Sequence, residues 1–131
     1  MTAIITEDVR TLIDSGPLAH LTTLNSDGSP QVSVVWIGIE ANEFVCGHLG
    51  VWQKVKNIRR TGRAAITVIK LDTRRYVTVE GPASIEPWQD TPAHIKRLKD
   101  LYVAMGRAPK GTDEEFARQM RDEKRNLVLV T

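Results

Sequence analysis

The residues best suited to chemistry lie in the segment from Val45 to Arg60, where a β-type run passes through a glycine-containing turn into a short basic helix. Gly47 and Gly50 would let the backbone approach a ligand closely, because glycine has no side chain in the way. Amides at the start of a helix are unpaired and favour a negative charge, and Lys54 lies in that first turn. The segment therefore predicts an anion site that could hold a phosphate, with His48 as a further candidate contact. A solvated basic helix face is the alternative interpretation.

Other patterns that supply their own chemistry are missing from the sequence. Lys54 is followed by valine, so the segment is not a Walker loop, and there is no Gly-x-Gly-x-x-Gly fingerprint. No Ser-His-Asp set, paired carboxylates or metal-ligand cluster stands out. We expect Cys46, the single cysteine, to be a small buried hydrophobe. We expect His20 to be a strand residue and His94 to be a surface helix residue.

The composition of the 131 residues limits the possible classes of protein. The length suits one domain, residues 1–131, and a chain this small cannot easily bury a deep cofactor cavity alone, so a subunit interface is a natural place for a large ligand. With 18 basic against 16 acidic residues and 5% aromatics, the case for nucleic-acid binding is weak. Neither a membrane-spanning run nor a signal peptide is evident, so we expect a cytoplasmic protein without a membrane partner.

Hydrophobic periodicity and turn residues predict the elements that position this segment. Strands dominate the middle of the chain and follow one another as hairpins, which indicates a mainly β, antiparallel barrel with peripheral helices rather than a doubly wound parallel sheet. The expected helices begin at Thr6, Trp52, Pro92 and Thr112. The expected strands are Leu18–Leu24, Gln31–Ile37, Glu43–His48, a central Ala64–Ile69, Tyr76–Ile85 with a bend at Gly81-Pro82, and Leu127–Val130.

Several motifs occur in an order and spacing that carry a family resemblance. They are the hairpin Leu18–Val32 with its Asp-Gly turn, the run Ser33–Trp36, the helix pattern Lys54-x-x-Asn57-Ile58, and the strands Arg63–Val68 and Tyr76–Ser84. On these motifs the chain resembles the pyridoxamine 5′-phosphate oxidase-like superfamily of FMN-binding split β-barrels. The resemblance implies a homodimer with the cofactor at the subunit interface.

The resemblance also implies the cofactor-binding residues. Lys54 would bind the cofactor phosphate, and the second strand would offer backbone groups to the ring. The full set of expected contacts comprises Gln31, Ser33, Val34, Val35 and Trp36 along the ring, then His48, Gly50, Val51, Trp52, Gln53, Lys54, Asn57 and Arg60 around the phosphate, and Tyr76, Val77 and Thr78 from the partner subunit. The family motif does not itself assign Arg60. The arginine that the family usually has on the second strand does not appear here, which leaves Lys56 or Arg60 as alternatives for a second cation. Trp36 and Trp52 are expected either to wall the ring or to pack.

Two features make the sequence similar to the short branch that uses the deazaflavin coenzyme F420. The chain ends at Val130-Thr131 without the arginine-containing tail that grips pyridoxal phosphate. Lys56, Arg59 and Arg60 could attract the anionic oligoglutamate tail of coenzyme F420. We therefore expect a reductase that transfers hydride from reduced coenzyme F420 to an electron-poor double bond of a small organic substrate. An FMN-dependent oxidoreductase, and a non-catalytic flavin- or haem-binding split barrel, are the alternatives.

Overall fold

The computed structural model describes residues 5–14, 18–41, 43–48, 52–70, 72–104 and 111–130. Seven strands and four helices lie within these ranges. Their order is α1 (Glu7–Asp14), β1 (Ala19–Leu24), β2 (Pro30–Val35), β3 (Gly38–Glu40), β4 (Glu43–His48), α2 (Gln53–Thr61), β5 (Arg63–Lys70), β6 (Arg75–Glu86), α3 (Pro92–Ala104), α4 (Asp113–Glu123) and β7 (Asn126–Val130).

The strands form one antiparallel sheet in the order β2-β1-β5-β6-β7-β4-β3. β6 pairs with β5 as far as Pro82 and with β7 from Ala83 onward, so the strand changes partner at the expected bend. The two edge strands, β2 and β3, are joined by only two residues, Trp36 and Ile37, which draws the ends of the sheet toward each other. The sheet is thus curled into a half-barrel with peripheral helices, and the expected split-barrel fold is confirmed.

Helix α2 is held against the concave side of the sheet by its apolar face and its capped end. Val55 and Ile58 are almost fully buried in the main core cluster beneath β1 and β5. Gly62 ends the helix in a left-handed conformation with φ of 67°, and its amide donates to the carbonyl of Ile58. Arg59 and Arg60 lie in the last turn, where positive charge complements the helix dipole. These features fix the helix that carries Lys54.

A second core cluster joins α3 and α4 to β4 and β7. Thr112 caps α4, as predicted, by accepting a hydrogen bond from the amide of Glu115. Arg97 on α3 donates to Glu40 at 2.5 Å and to Glu86 at 2.6 Å, so it ties the short edge strand β3 to the end of β6. Bonding to Glu86 and then Glu40 raises the pKa of Arg97 and keeps it charged.

The structure corrects two details of the sequence analysis. The second strand ends at Val35 rather than Ile37, because Trp36 and Ile37 carry the chain to the additional strand β3. His94 is buried, at 4% exposure, and not on the surface. Its Nε2 lies 3.1 Å from the carbonyl oxygen of Arg125, and its ring packs edge-on against Trp88 at 5.0 Å.

Candidate functional site

Lys54 is a buried cation at the start of α2. Lys54 is only 8% exposed. Its Nζ lies 3.3 Å from the Ser33 hydroxyl oxygen and 4.6 Å from the centre of the Trp52 ring. Burial lowers the pKa of Lys54, and the positive charge of Arg125 also lowers it. Together, Ser33, Trp52, Lys54 and Arg125 form what we call the Lys54 corner.

The Lys54 corner contains one ammonium, that of Lys54, which no described carboxylate neutralises. Cys46 is 1% exposed, as expected, and burial raises the pKa of its thiol to about 12, so it is neutral at physiological pH. Within the described ranges no carboxylate forms a salt bridge with Lys54. A buried ammonium without a counter-charge is costly, and an anion that enters the corner would offset that cost. The geometry therefore suits a phosphate or carboxylate.

Arg125, which the sequence analysis missed, is a second cation at this corner. Its guanidinium carbon lies 5.9 Å from the centre of the Trp52 ring, and its Nε donates to a Glu123 oxygen at 2.5 Å. The contact of His94 with the Arg125 carbonyl fixes the backbone at this point. Arg125 precedes β7 and is far from Lys54 in sequence, so no local spacing could have indicated it.

Lys56 and Arg60, the residues expected as alternatives for the second cation, lie elsewhere on α2. Lys56 is exposed on the outer side of α2. Arg60 donates from Nη1 to Asn57 Oδ1 at 3.1 Å and from Nη2 to the carbonyl of Leu24, so its guanidinium contacts the end of β1. Its role as a cofactor ligand stays a prediction.

Asn57 is the buried polar residue that connects α2 to the sheet. It is fully inaccessible, and its Nδ2 donates to Thr23 and to Asn25, both at 3.0 Å. Its Oδ1 accepts from Gln53 at 2.8 Å and from Arg60. Thr23 in turn donates to Gln31 at 3.3 Å. This network holds the helix in register with β1 and β2, and thereby holds Lys54 opposite Ser33.

The predicted residues of β2 point to both sides of the sheet. Pairing with β1 places Gln31 opposite Thr23 and Ser33 opposite Leu21, on the concave side where α2 packs. Val35 on the same side is buried in the core, whereas Val34 faces outward and is 56% exposed. Trp36 packs against the second core cluster.

The predicted β6 residues are not brought to the Lys54 corner of the same chain. Tyr76 is 72% exposed, and Thr78 bonds to Thr67 on the convex face, at 3.1 Å between hydroxyl oxygens. Val77 points to the other side and packs against the main core. β6 is three strands from β2 in the sheet, a distance of about 14 Å at the usual strand spacing.

Some candidates lie outside what the structure describes, namely Gly50, Val51 and the side chain of His48. The described side chains include no group of three or more His, Cys, Asp or Glu residues that could hold a metal ion. None of the helices in the described ranges is both long and apolar enough to cross a bilayer.

Comparison with known proteins agrees with this architecture. The chain is similar to a solved F420 reductase, with 26% identity and a TM-score of 0.71, over 96% of this chain and 94% of that one. A conserved hypothetical protein of Mycobacterium tuberculosis shares the fold with 22% identity and a TM-score of 0.77, over 99% and 82% of the two chains. So does a pyridoxamine 5′-phosphate oxidase-related, FMN-binding protein of Nostoc punctiforme, with 15% identity and a TM-score of 0.64, over 88% and 71%.

No curated protein has significant sequence similarity to the chain. The profile described as pyridoxamine 5′-phosphate oxidase matches residues 5–130, which is nearly the whole sequence. The chain therefore belongs to the pyridoxamine 5′-phosphate oxidase family, a family of flavin-type oxidoreductases.

Proposed function

We propose that this protein is a reductase that uses reduced coenzyme F420 to deliver hydride to an electron-poor double bond of a small organic substrate. The observation that carries the proposal is the buried Lys54 ammonium, which has no carboxylate partner among the described residues. The choice of coenzyme is supported by the similarity to an F420 reductase over almost the full length of both chains.

The residues of the Lys54 corner fit the phosphate of such a coenzyme. Lys54 offers an ammonium, Ser33 a hydroxyl and Arg125 a guanidinium. Helix α2 offers the backbone amides of Gln53 and Lys54 at its start, ahead of the amides of Val55 and Lys56 that bond to the Trp52 carbonyl. Lys56 and Arg59 are exposed on the same helix and could attract the carboxylates of the coenzyme tail. This electrostatic attraction would be modest and would weaken as the salt concentration rises.

Strand β2 is the element that would support the ring. One edge of β2 pairs with β1, and no strand of the described residues pairs with its other edge. Unpaired amides and carbonyls along that edge can bond to polar atoms of a flat heterocycle. Reduced deazaflavin supplies the hydride when it is bound. The task of the chain is to hold the ring against the substrate and to limit the access of water. The carboxylate of Glu123 is held in a salt bridge with Arg125, so we assign the product proton to solvent.

A homodimer would complete this site. The convex face of the sheet exposes apolar side chains, including Leu24, Val32 and Val34 on one side and Ile69 and Tyr76 on the other. Exposed apolar side chains of this kind favour association, and a two-fold interface would use the same face twice. In such a dimer the partner's Tyr76 to Thr78 segment could approach a ring that lies along β2.

An FMN-dependent oxidoreductase is the second candidate, because FMN carries a phosphate that the Lys54 corner would hold equally well. Titration of the purified protein with coenzyme F420 and, separately, with FMN distinguishes the two. We expect tighter binding of F420 and turnover of its reduced form with an acceptor. Tighter binding of FMN would replace the proposal with the second candidate, and binding without turnover would indicate a non-catalytic carrier.

A pair of variants on one helix tests the phosphate assignment. Lys54→Ala removes the buried ammonium, and we expect affinity for the preferred coenzyme to fall by about 1.5–3 kcal/mol, because a charged hydrogen bond is lost. Lys56→Ala removes an exposed charge two residues away that could contact only the coenzyme tail, so it should lower affinity by no more than about 1 kcal/mol. Equal effects of the two variants would show that the coenzyme phosphate does not lie at the Lys54 corner.

A further inference from the structure

A groove lies between helix α1 and the tip of the β5–β6 hairpin, away from the residues of the Lys54 corner. Its volume is about 390 Å³, within the usual range for small-molecule sites. Apolar side chains of Val9, Leu12 and Val77 form its floor, and the basic residues Lys70, Arg74 and Arg75 stand at its rim. We call these six residues the hairpin groove.

The floor of the hairpin groove offers apolar surface in a concave setting. Leu12 is buried in the main core cluster, and Val9 and Val77 pack against that cluster while keeping part of their surface exposed. Such a floor favours an apolar body that lies flat against it, because contact would remove hydrocarbon surface from water on both sides.

The rim of the groove brings three positive charges together, and none of them is paired in a salt bridge with a described residue. Asp8 is the one acidic residue that lines the groove. The rim therefore keeps a positive excess and suits an anion.

The arrangement of the rim also costs stability. Lys70 and Arg75 are direct partners in the β5–β6 ladder, and like charges at paired positions repel. Arg74 occupies the left-handed region with φ of 54°, which is unfavourable for a residue with a side chain. Repulsion and backbone strain at one hairpin tip are the kind of cost that is found at ligand sites.

We infer that the hairpin groove binds a small amphipathic anion. The apolar body of the ligand lies on Val9, Leu12 and Val77, and its carboxylate, sulfonate or phosphate group meets Lys70, Arg74 and Arg75. The groove and the Lys54 corner of the same chain share no residue, although Val77 also belongs to the segment that the proposed dimer would bring toward the partner's coenzyme.

Two dyes of almost the same shape test the inference on the protein without coenzyme. The probes are 8-anilinonaphthalene-1-sulfonate and its uncharged analogue N-phenyl-1-naphthylamine, each followed by fluorescence titration. We expect the sulfonate to bind more tightly than the neutral dye, and 0.5 M NaCl to weaken only the sulfonate. Equal affinity of the two dyes would overturn the inference.

Matched charge variants locate the sulfonate. Lys70→Gln with Arg75→Gln should weaken sulfonate binding by about tenfold, since each exposed pair is worth up to roughly fivefold. The same change should leave the neutral dye unaffected. Lys56→Gln with Arg59→Gln removes two exposed charges from α2 and should change sulfonate binding less than twofold. If the two double variants weaken the sulfonate equally, only overall charge matters and the inference is wrong.

A filling variant separates the groove from the apolar convex face of the sheet, where dyes could also bind. Thr11 is exposed, lines the groove and lies on α1, so Thr11→Trp can occupy the space while leaving the rim charges in place. We expect Thr11→Trp to weaken both dyes at least fivefold with an unchanged circular dichroism spectrum. Unchanged binding of both dyes would place them elsewhere and refute the inference. Because the dye titrations are made without coenzyme, failure of this inference leaves the F420 and FMN titrations to test the proposed function separately.

Discussion

Replacing Asn57 with leucine tests whether one buried amide holds the phosphate-binding helix in place. Asn57→Leu keeps a side chain of similar size but removes four hydrogen bonds, two donated to Thr23 and Asn25 and two accepted from Gln53 and Arg60. Leucine cannot bond to any of these groups. Thr23, which is 2% exposed, is left with Gln31 as its remaining side-chain partner.

The expected loss follows from the number of bonds and the burial of their ends. At about 1 kcal/mol for each net hydrogen bond the loss would approach 4 kcal/mol. Gln53 and Arg60 are exposed and can bond to water instead, so we expect about 2–3 kcal/mol. For 131 residues the entropy of unfolding is about 0.28 kcal/mol per kelvin, so Tm should fall by roughly 7–11 °C.

Urea unfolding followed by circular dichroism measures this change. Gln53→Leu is the matched control, because it removes one of the four bonds at an exposed position and should cost less than about 0.5 kcal/mol. A double-mutant cycle with Thr23→Val should give a coupling of about 1 kcal/mol with Asn57→Leu. A loss below about 0.5 kcal/mol for Asn57→Leu, or zero coupling, would show that the network does not hold α2, and the reasoning would fail.

Three further predictions concern charge, reactivity and assembly. Lys54→Met removes an ammonium whose pKa is lowered from 10.5 by burial, so the unfolded chain binds that proton more tightly than the folded chain. The stability of the wild type relative to the variant should therefore rise as pH increases through the window just below 10.5. Urea unfolding at several pH values measures this change. Cys46, buried with a pKa of about 12, should resist a thiol reagent at pH 8 until the protein unfolds, and rapid labelling of the native protein would contradict its burial. Val34→Glu on the convex face should convert a dimer to monomers in sedimentation velocity, whereas Val103→Glu, on an equally exposed valine of α3, should not.

The sequence predicted the elements whose signals are local. Thr112 at the start of α4 and Pro92 at the start of α3 are recognisable from residue type, and the structure confirms both. Strand β3 was not predicted, because the three residues Gly38–Glu40 are too few to show alternation of apolar and polar side chains. Pairing with β4 makes them a strand, and that pairing is a tertiary contact.

The residues that were misjudged or missed depend on contacts between distant parts of the chain. His94 reads as a surface residue on a helix, yet its imidazole is buried because the Arg125 carbonyl and the Trp88 ring provide partners. In the sequence, Arg125 belongs to the charged run Asp122–Arg125, which is typical of a solvated helix end. Its position near Trp52 follows from the pairing of β7 with β4, which no spacing within the last helix reveals.

The same long-range contacts make the Lys54 corner a junction between the two halves of the molecule. Ser33 and Lys54 belong to the half built on the main core, whereas Arg125 is positioned by α3 and β7 through His94 and the chain around Asn126. An anion bound by Lys54 and Arg125 together would connect these halves at a site where Glu123 pairs with Arg125 but no described carboxylate pairs with Lys54. Because a ligand stabilises the folded state by RT ln(1 + [L]/Kd), binding at this corner should raise the stability of both halves in one transition. Stabilisation of α2 without α3 and α4, as seen by hydrogen exchange, would mean that Lys54 holds the anion without Arg125.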